Sequence, residues 1–440
     1  MPNFLLEPLD VLFFRDARPM AAGQGTGHGS RQPLPSTLHE ALRAALLYSW
    51  GDKSAEAHSR NNFVKRASTP TPTNVGHGAF QSLRLSGPFL HGLRERQADQ
   101  DDTAWSGVPE CHKHADLRLP LPLDVVIADR ARLEVLHPIP DANAAPFPFL
   151  PVSPVAATKD TPSRFWTPLQ LAAYLASTHT DFTPLSRSHL FEDEHRVGVE
   201  LTDDTLTARE GQLYAASYLR PRRHTRFWFA ADIPDRRRDK EIALLNQLDF
   251  LLFGGDRRLA RVWNHGHAPK LDISMPDFEA HGFRRVKWVL LTPAIFAGGW
   301  LPGWVDTDSL SVKLRVVQRP ERATRRKARC NGLKFDVAAD QAPPIEATLV
   351  SVCLGRAQPI TGWDLLNESA KPTQLAVPAG SVFYFECPTP KDAHLLGTAL
   401  HLRPRSDALG EKGFGLGVCG TWSPFPTSPD VPTPDNLPHV

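Results

Sequence analysis

The chain has 440 residues, of which 41% are hydrophobic and 22% are charged, and its formal net charge is +2. A globular chain of this length can form two domains with separate cores. The near-neutral charge excludes a histone-like polycation, so any contact with a polyanion must come from local clusters of arginine.

Cysteine usage and hydropathy exclude further classes of protein. The five cysteines are scattered without a CxxC pair, which argues against a disulfide scaffold and favours a reducing cytoplasm. The run Cys111-His112-Lys113-His114 has zinc-binding residue types, but no second pair accompanies it. No stretch approaches the roughly 20 apolar residues of a membrane span. We therefore expect a cytoplasmic protein with no metal, no cofactor and no membrane partner.

The first half alternates apolar strands with polar, glycine-rich or proline-rich loops. Its predicted elements, in chain order, are the strand Phe4–Phe13, a glycine-rich loop at 23–29, the helix Leu38–Trp50, a polar insertion at 51–78, the strands Leu83–Leu90 and Leu119–Ala128, a proline-rich stretch at 137–163, the helix Trp166–Ala176, the strands Tyr214–Leu219 and Thr225–Ala230, the helix Glu241–Phe253, a Gly-Gly turn at 254–255 and the strand Leu259–Trp263.

The second half is shorter and ends in a second glycine-rich loop. Its predicted elements are the strands Arg285–Leu291, Ala347–Leu354 and Ser381–Glu386, the helix Asp392–Leu402, and a glycine loop that runs from Gly410 into an apolar strand ending at Trp422. Between 313 and 334 the chain carries nine Lys or Arg residues against one acid, Glu321. This basic segment is either a solvated loop or a polyanion contact that orders on binding.

The two halves open and close in the same way, which indicates a duplicated domain. Each begins with a proline-interrupted apolar strand and ends with helix, glycine-rich turn and strand. Without insertions, each approximates the βαββαβ order of a ferredoxin-like domain. We predict an α+β fold of two tandem ferredoxin-like domains with long loop insertions. The predicted boundaries are an N-terminal domain at 1–270, a linker at 271–284, a C-terminal domain at 285–422 and a proline-rich tail at 423–440.

Eight motifs follow one another in an order that is specific as a set. They are LEPLDVLFFRDARP with the following glycine loop, LPSTLHEALRAALL, EHRVGVEL with GQLY after it, LFGGDRRLA, LLTPAIFAGGWLP, ITGWDL, AGSVFYFE and GFGLGVCGTW. Over roughly residues 4 to 422, the chain resembles the RAMP-superfamily subunit three of the type III-B (Cmr) CRISPR effector complex. One departure is Asp256, which stands where the family pattern has glutamate.

The resemblance implies two RRM-type ferredoxin-like domains at the foot of a ribonucleoprotein complex. Such subunits hold the repeat-derived 5′ tag of the crRNA, bind the large polymerase/cyclase-like subunit and a neighbouring RAMP backbone subunit, and meet target RNA indirectly. The family is regarded as non-catalytic. We therefore expect an RNA-binding scaffold for antiviral, RNA-guided interference.

The residues themselves agree with an RNA clamp, because glycines let backbone N–H groups approach phosphates and arginines neutralise them. The predicted RNA-binding residues are Arg15, Arg18 and His28 near the first loop, Arg43 of the first helix, Gly254, Gly255, Arg257 and Arg258 of the Gly-Gly turn, and Lys412, Gly413, Phe414 and Gly415 of the last loop. Phe414 either stacks on a base or packs in the core. Arg43 is equally suited to a solvated face, and the turn arginines to bracing a carboxylate.

Two alternative functions remain open at this stage. A RAMP endoribonuclease that processes precursor crRNA would use a histidine as acid or base, with candidates His28, His39, His77 and His195. A purely structural bridge would use the aromatic segments Trp300–Trp304 and 225–229 for protein contacts, although core packing explains both segments equally well.

Overall fold

The computed structural model describes residues 1–15, 25–27, 30, 32–49, 80, 82–93, 115–127, 133–141, 143, 145–156, 164–177, 184–234, 239–263, 268–318, 333–336, 343–364 and 369–424. The predicted insertion at 51–78, the motif Cys111–His114, most of the basic segment and the tail beyond Pro424 lie outside these residues. None of the described helices is long and apolar enough to cross a membrane.

The described elements alternate helices and strands. The helices are α1 (Pro35–Ser49), α2 (Pro168–Leu175), α3 (Asp239–Asn246) and α4 (Pro390–Leu400). The strands of the first half are β1 (Asn3–Pro8), β2 (Gly25–Gly27), β3 (Arg84–Leu93), β4 (Ala115–Pro120), β5 (Val125–Ile127), β6 (Leu133–Val135), β7 (His137–Pro140), β8 (Phe149–Val152), β9 (Arg164–Trp166), β10 (Leu185–Ser186), β11 (Phe191–Leu201), β12 (Ala208–Pro221), β13 (Arg226–Asp232), β14 (Phe250–Leu252) and β15 (Leu259–Trp263). Those of the second half are β16 (Arg285–Leu290), β17 (Arg315–Gln318), β18 (Leu333–Asp336), β19 (Thr348–Cys353), β20 (Gln358–Ile360), β21 (Trp363–Asp364), β22 (Ser369–Ala370), β23 (Gln374–Ala376), β24 (Val382–Glu386), β25 (Arg403–Pro404) and β26 (Leu416–Thr421).

An eight-stranded sheet forms the first half, in the order β10-β9-β4-β3-β13-β1-β15-β14. Its inner strand β1 pairs antiparallel with β13 and β15. Side chains alternate between the two faces of a strand. Phe4 and Leu6 accordingly pack in the core under α1 and α3, whereas Leu5 points to the opposite face. In α1, Leu38, Leu42 and Leu46 are buried in that core, and their spacing of four residues places them on one side of the helix.

A five-stranded antiparallel sheet forms the second half, in the order β19-β24-β16-β26-β25. Its principal strands β16, β19, β24 and β26 occupy the same relative positions as β1, β3, β13 and β15 of the larger sheet. Helix α4 connects the third and fourth of these strands, as α3 does in the first half. In the described residues between β16 and β19 there is no helix, so the predicted βαββαβ succession is incomplete there. The chain as a whole is a strand-rich mixed α and β protein.

Several element boundaries differ from the sequence prediction. The helix predicted over 241–253 is shorter: α3 ends at Asn246 and the apolar residues that follow form β14. The strand predicted over 119–128 is divided between β4 and β5. The strand predicted over 214–219 extends to 208–221 as β12, and it pairs with β11, for which no strand was predicted.

The two sheets pack against each other through a shared core. Leu5, Phe89 and Trp228 of the first sheet belong to the same buried cluster as Val289 and Val418 of the second. In the first sheet these residues lie on the face opposite α1 and α3, and in the second sheet they lie on the face that meets the first. Those faces are therefore covered by the opposite half and are closed to ligands.

A polar cluster of Asp124, Tyr174, Lys287 and Tyr384 lies within the shared core. The Asp124 Oδ2 atom accepts hydrogen bonds from the hydroxyls of Tyr174 at 2.5 Å and Tyr384 at 2.7 Å. Lys287 Nζ donates to the Tyr174 carbonyl oxygen at 3.0 Å and lies 3.5 Å from the centroid of the same ring. Burial raises the pKa of Asp124, and burial lowers the pKa of Lys287 to about 8. The polar cluster therefore links both halves with one buried carboxylate and one buried ammonium.

Candidate nucleic-acid interface

Three segments that are distant in sequence meet beside Tyr218. The residues after β1 contact β12, because Leu12 and Leu219 exchange two backbone hydrogen bonds of 2.8 Å. The Gly-Gly turn contacts the same residues, since Gly255 N donates to Phe13 O at 2.7 Å. The Tyr218 hydroxyl donates to Asp256 Oδ2 at 2.5 Å and completes the junction. Two of the predicted groups, the Arg15 region and the Gly-Gly turn, are thus brought together.

The glycines of this turn serve its close packing. Gly254 adopts φ = +86°, and a Cβ atom there would lie 2.6 Å from Phe13 O. A Cβ at Gly255 would lie 2.9 Å from the Phe13 ring. Both glycines therefore face Phe13 in the segment after β1, and the turn presents Arg257 to the surface.

The arginines around the Tyr218 ring differ in whether they form ion pairs within the fold. The guanidinium of Arg196 lies 4.8 Å from the ring centroid and that of Arg258 lies 5.7 Å from it. Arg258 also pairs with Asp10 at 2.7 Å, so it braces a carboxylate of its own half. Arg15 and Arg257 are exposed and make no ion pair with any residue that the structure describes. We call Arg15, Arg196, Tyr218, Arg257 and Arg258 the tyrosine–arginine surface.

The first glycine loop is attached next to this surface. Strand β2 pairs in parallel with β12, with Gly25 opposite Tyr214 and Gly27 opposite Ala216. The predicted contacts Arg18 and His28 lie outside the described residues. A glycine-rich strand beside exposed guanidiniums is suited to a nucleic-acid backbone, because it offers close approach and positive charge together.

The predicted contacts of α1 and the last glycine loop also meet. Lys412 Nζ pairs with Glu40 Oε1, and the two residues are 372 positions apart. Arg43, one turn after Glu40, interacts electrostatically with it, and burial lowers the pKa of Arg43. The side chain of Lys412 is only 13% exposed. The structure therefore brings Arg43 and Lys412 together, but Glu40 compensates part of their charge.

The last glycine loop does not have the predicted form. Gly413 N donates to Gly410 O at 3.1 Å, and Gly415 N donates to Pro293 O at 2.8 Å. Between them, Phe414 N donates to Leu409 O at 3.4 Å. Phe414 is fully buried, so its ring packs in the core and is not placed to stack on a base. The backbone donors expected to face a phosphate are thus used within the fold. These glycines allow tight packing instead.

His39 lies beside Lys412 and is held in its neutral form. Burial, more than any neighbouring charge, lowers the pKa of its imidazole from 6.5 to about 4, while Glu40 opposes the shift and Lys412 and Arg43 support it. Below pH 6.5 the unfolded chain binds a proton that the folded chain does not take up until about pH 4. The free energy of unfolding should therefore decrease as pH falls through this window, by roughly 3 kcal/mol in total.

The variant His39→Gln isolates this contribution, because glutamine does not titrate. Between pH 7 and pH 4.5, we expect the wild type to lose roughly 2–3 kcal/mol more stability than the variant in urea unfolding. Equal losses in the two proteins would contradict the assignment.

The residues behind the two alternative functions are placed as follows. His39 is buried, His195 lies on β11, and His28 and His77 are outside the described residues. Leu301 and Trp304 are buried, as are Phe227, Trp228 and Phe229, so core packing accounts for most of the aromatic segments. Among the described residues, no group of three or more His, Cys, Asp or Glu side chains is arranged to hold a metal ion.

Sequence reasoning missed the long hairpin of β11 and β12. The half of the hairpin nearer its turn exposes the apolar side chains of Val197, Val199 and Leu213, and Val199 lies directly opposite Leu213. Near its base, Glu194 forms ion pairs with both Arg196 and Arg220. The alternation of His195-Arg196-Val197-Gly198-Val199 was the available strand signal. The hairpin places Arg196 and Tyr218 at the tyrosine–arginine surface.

Chains in several solved structures are similar to this chain. The chain is similar to a chain of the cryo-EM structure of the Type III-B Cmr-beta bound to cognate target RNA and AMPPnP, state 1, with 14% identity, 90% of this chain and 88% of that chain covered, and a TM-score of 0.43. A chain of the cryo-EM structure of the Type III-B Cmr-beta bound to cognate target RNA matches at 15% identity, with coverages of 87% and 86% and a TM-score of 0.43. A chain of the crystal structure of the Csm3-Csm4 subcomplex in the type III-A CRISPR-Cas interference complex matches at 10% identity, with coverages of 88% and 93% and a TM-score of 0.32.

The family assignment comes from sequence. No curated protein matches the chain. The family model described as CRISPR-associated protein (Cas_Cmr3) matches residues 4–422, nearly the whole chain. This match confirms the resemblance carried by the ordered motifs. The chain belongs to the Cas_Cmr3 family of CRISPR-associated proteins.

Proposed function

We propose that the chain is a non-catalytic subunit of a type III-B CRISPR effector complex that holds the 5′ tag of the crRNA. In this proposal it also docks the large polymerase/cyclase-like subunit and a neighbouring RAMP subunit, and it meets target RNA indirectly. The tyrosine–arginine surface carries the proposal. It combines exposed guanidiniums with a glycine-rich strand, next to a ring already used for cation–π contacts.

The two exposed arginines are assigned to RNA phosphates. Arg15 and Arg257 have no ion pair among the described residues, so binding a phosphate breaks no ion pair with any of those residues. Guanidiniums bind phosphate oxygens through two parallel hydrogen bonds, which fix position as well as charge. Phosphate contacts of this kind hold a strand in register, and base contacts nearby add selectivity.

We further propose that the two halves are tandem ferredoxin-like domains, at 1–270 and 285–422. The shared order of their principal strands supports this assignment. An RRM commonly binds RNA on its open sheet face. Both such faces are covered here by the shared core, which favours RNA contacts at loops and at the hairpin.

The double variant Arg15→Glu, Arg257→Glu tests the proposal in the complex purified from its host through a tag on this chain. We expect co-purified crRNA per complex to fall about tenfold or more, because two phosphate contacts become repulsions. The matched control is Arg356→Glu, an exposed arginine after β19, where the crRNA content should stay unchanged.

The three possible functions give different results in this experiment. Loss of crRNA with the other subunits still co-purifying supports the clamp. Full retention of crRNA by an intact complex contradicts it and favours a structural bridge. Cleavage of repeat RNA by the isolated chain, with unprocessed transcripts accumulating in the variant, would instead establish an endoribonuclease.

A further inference from the structure

A cleft of about 670 Å³ opens where α2 meets the end of the second sheet, away from the tyrosine–arginine surface. The residues that determine its chemistry are Ser177, Phe283, Arg284, Arg285, Glu386 and Trp422. They come from the end of α2, from the segment that enters β16, and from the ends of β24 and β26. The volume lies within the range of about 300–1,000 Å³ that is usual for small-ligand sites.

One wall of the cleft is the Arg285 guanidinium, which packs against the buried indole of Trp422. Arg285 Nε donates to Glu386 Oε1 at 2.8 Å, and the guanidinium carbon lies 5.0 Å from the centroid of Trp422. The indole is fixed in turn, because Trp422 Nε1 donates to Phe385 O at 3.2 Å. The partly exposed Arg285 guanidinium, held by Glu386 and backed by the indole, is a planar group on which a nucleobase can stack.

The remaining groups provide charge and hydrogen bonds. Arg284 is exposed at the cleft, and its side chain has no ion pair with the residues that the structure describes. Ser177 Oγ donates to Thr421 O at 2.9 Å, which leaves its own oxygen free to accept. Glu386 adds a carboxylate acceptor beside Arg285. The cleft thus offers the Arg284 cation, acceptors and the planar guanidinium of Arg285 within one volume.

We propose that this cleft binds one nucleotide of single-stranded RNA. The base lies against the Arg285 guanidinium, and the phosphate contacts Arg284. Glu386 can accept hydrogen bonds from base N–H groups or a ribose hydroxyl. The inference rests on the proposed RNA-binding function and adds a second contact point to it.

The test is photo-crosslinking in the complex assembled with a guide RNA that carries 4-thiouridine throughout. We expect crosslinks to peptides that contain 282–287 or 421–424. The variant Arg284→Glu should reduce their yield about tenfold, the loss expected for one charge-assisted contact. Arg356→Glu is the matched control and should leave the yield unchanged. Uridine 5′-monophosphate titrated into the full chain, followed by tryptophan fluorescence, provides a second arm.

The outcomes separate this inference from the proposed function. Crosslinks at the cleft that depend on Arg284 support it. Crosslinks confined to the tyrosine–arginine surface overturn it and leave the clamp intact. Saturable binding of uridine 5′-monophosphate without any cleft crosslink to RNA also overturns it, in favour of a free nucleotide. If the residues after Pro424 were the occupant, cleft crosslinks would appear only in a variant that ends there, and the inference would again fail.

Discussion

Replacing Asp124 with alanine is expected to destabilise the protein by about 3–5 kcal/mol, the usual cost of removing one member of a buried, electrostatically coupled pair of opposite charges. The substitution leaves Lys287 buried with its ammonium uncompensated, and it leaves two tyrosine hydroxyls without their acceptor. Denaturant unfolding followed by tryptophan fluorescence gives the free energy directly. The loss should be visible in both halves, because the polar cluster lies in their shared core.

Two further variants show whether charge is the cause. In Asp124→Leu with Lys287→Met, both charges are removed together, and we expect the part of the lost stability that comes from the unpaired charge to return, while the two tyrosine hydroxyls stay without their acceptor. Tyr384→Phe removes a single hydrogen bond to Asp124 and should cost only about 1–2 kcal/mol. If Asp124→Ala cost no more than Tyr384→Phe, the electrostatic role of the cluster would be refuted.

Gly415→Ala should have the second largest effect, roughly 3 kcal/mol of lost stability. Gly415 adopts φ = +71°, and a Cβ atom would lie 2.3 Å from Ser406 N, which is backbone and cannot rotate away. The left-handed conformation costs alanine about 1–2 kcal/mol, and overpacking typically adds about 1–3 kcal/mol. Thermal and denaturant unfolding of the purified chain measure the sum.

Gly299→Ala is the matched control, because Gly299 has a similar φ of +81° but no heavy atom within 4 Å of its Cβ position. Only the conformational cost of about 1–2 kcal/mol applies there. The difference between the two variants therefore reports the close packing of the last glycine loop. A loop that instead served only to bind phosphate would give equal losses in stability and an RNA defect for Gly415→Ala alone.

Local sequence patterns predicted most of the elements that lie in the cores. The 3.6-residue spacing of Leu38, Leu42 and Leu46 predicted the buried side of α1, and the capping residue Thr389 with Asp392 marks the actual start of α4. The repeated succession of a strand and a glycine turn indicated two similar halves, and the two sheets share the order of their principal strands. Where an apolar run is short, its hydrophobic periodicity does not distinguish a helix from a strand. The pattern at Phe250–Leu252 predicts a helix, but this segment is a strand.

The surroundings of the candidate residues were predicted less well, because their partners lie far away along the chain. Lys412 looked available for phosphate, yet its partner is Glu40, 372 positions earlier. Glycines near a lysine suggested a phosphate loop. Gly415 instead allows close packing, because a Cβ atom there would collide with the Ser406 backbone and its own N–H group donates to Pro293 O. By contrast, the segment that ends at Arg15 does meet the Gly-Gly turn, although nothing local indicated that Tyr218 would join them.

The pairing of β1 with β13 also bears on how the chain is made. Asn3 lies opposite Ala230, so the first strand leaves the ribosome long before its neighbour exists. At synthesis rates of about 5–20 residues per second, the interval is on the order of 10–45 s. During that time the apolar segment Phe4–Leu6 has neither of its neighbouring strands. The first strand therefore takes its place in the sheet only late in synthesis, after β13 and β15 have been made.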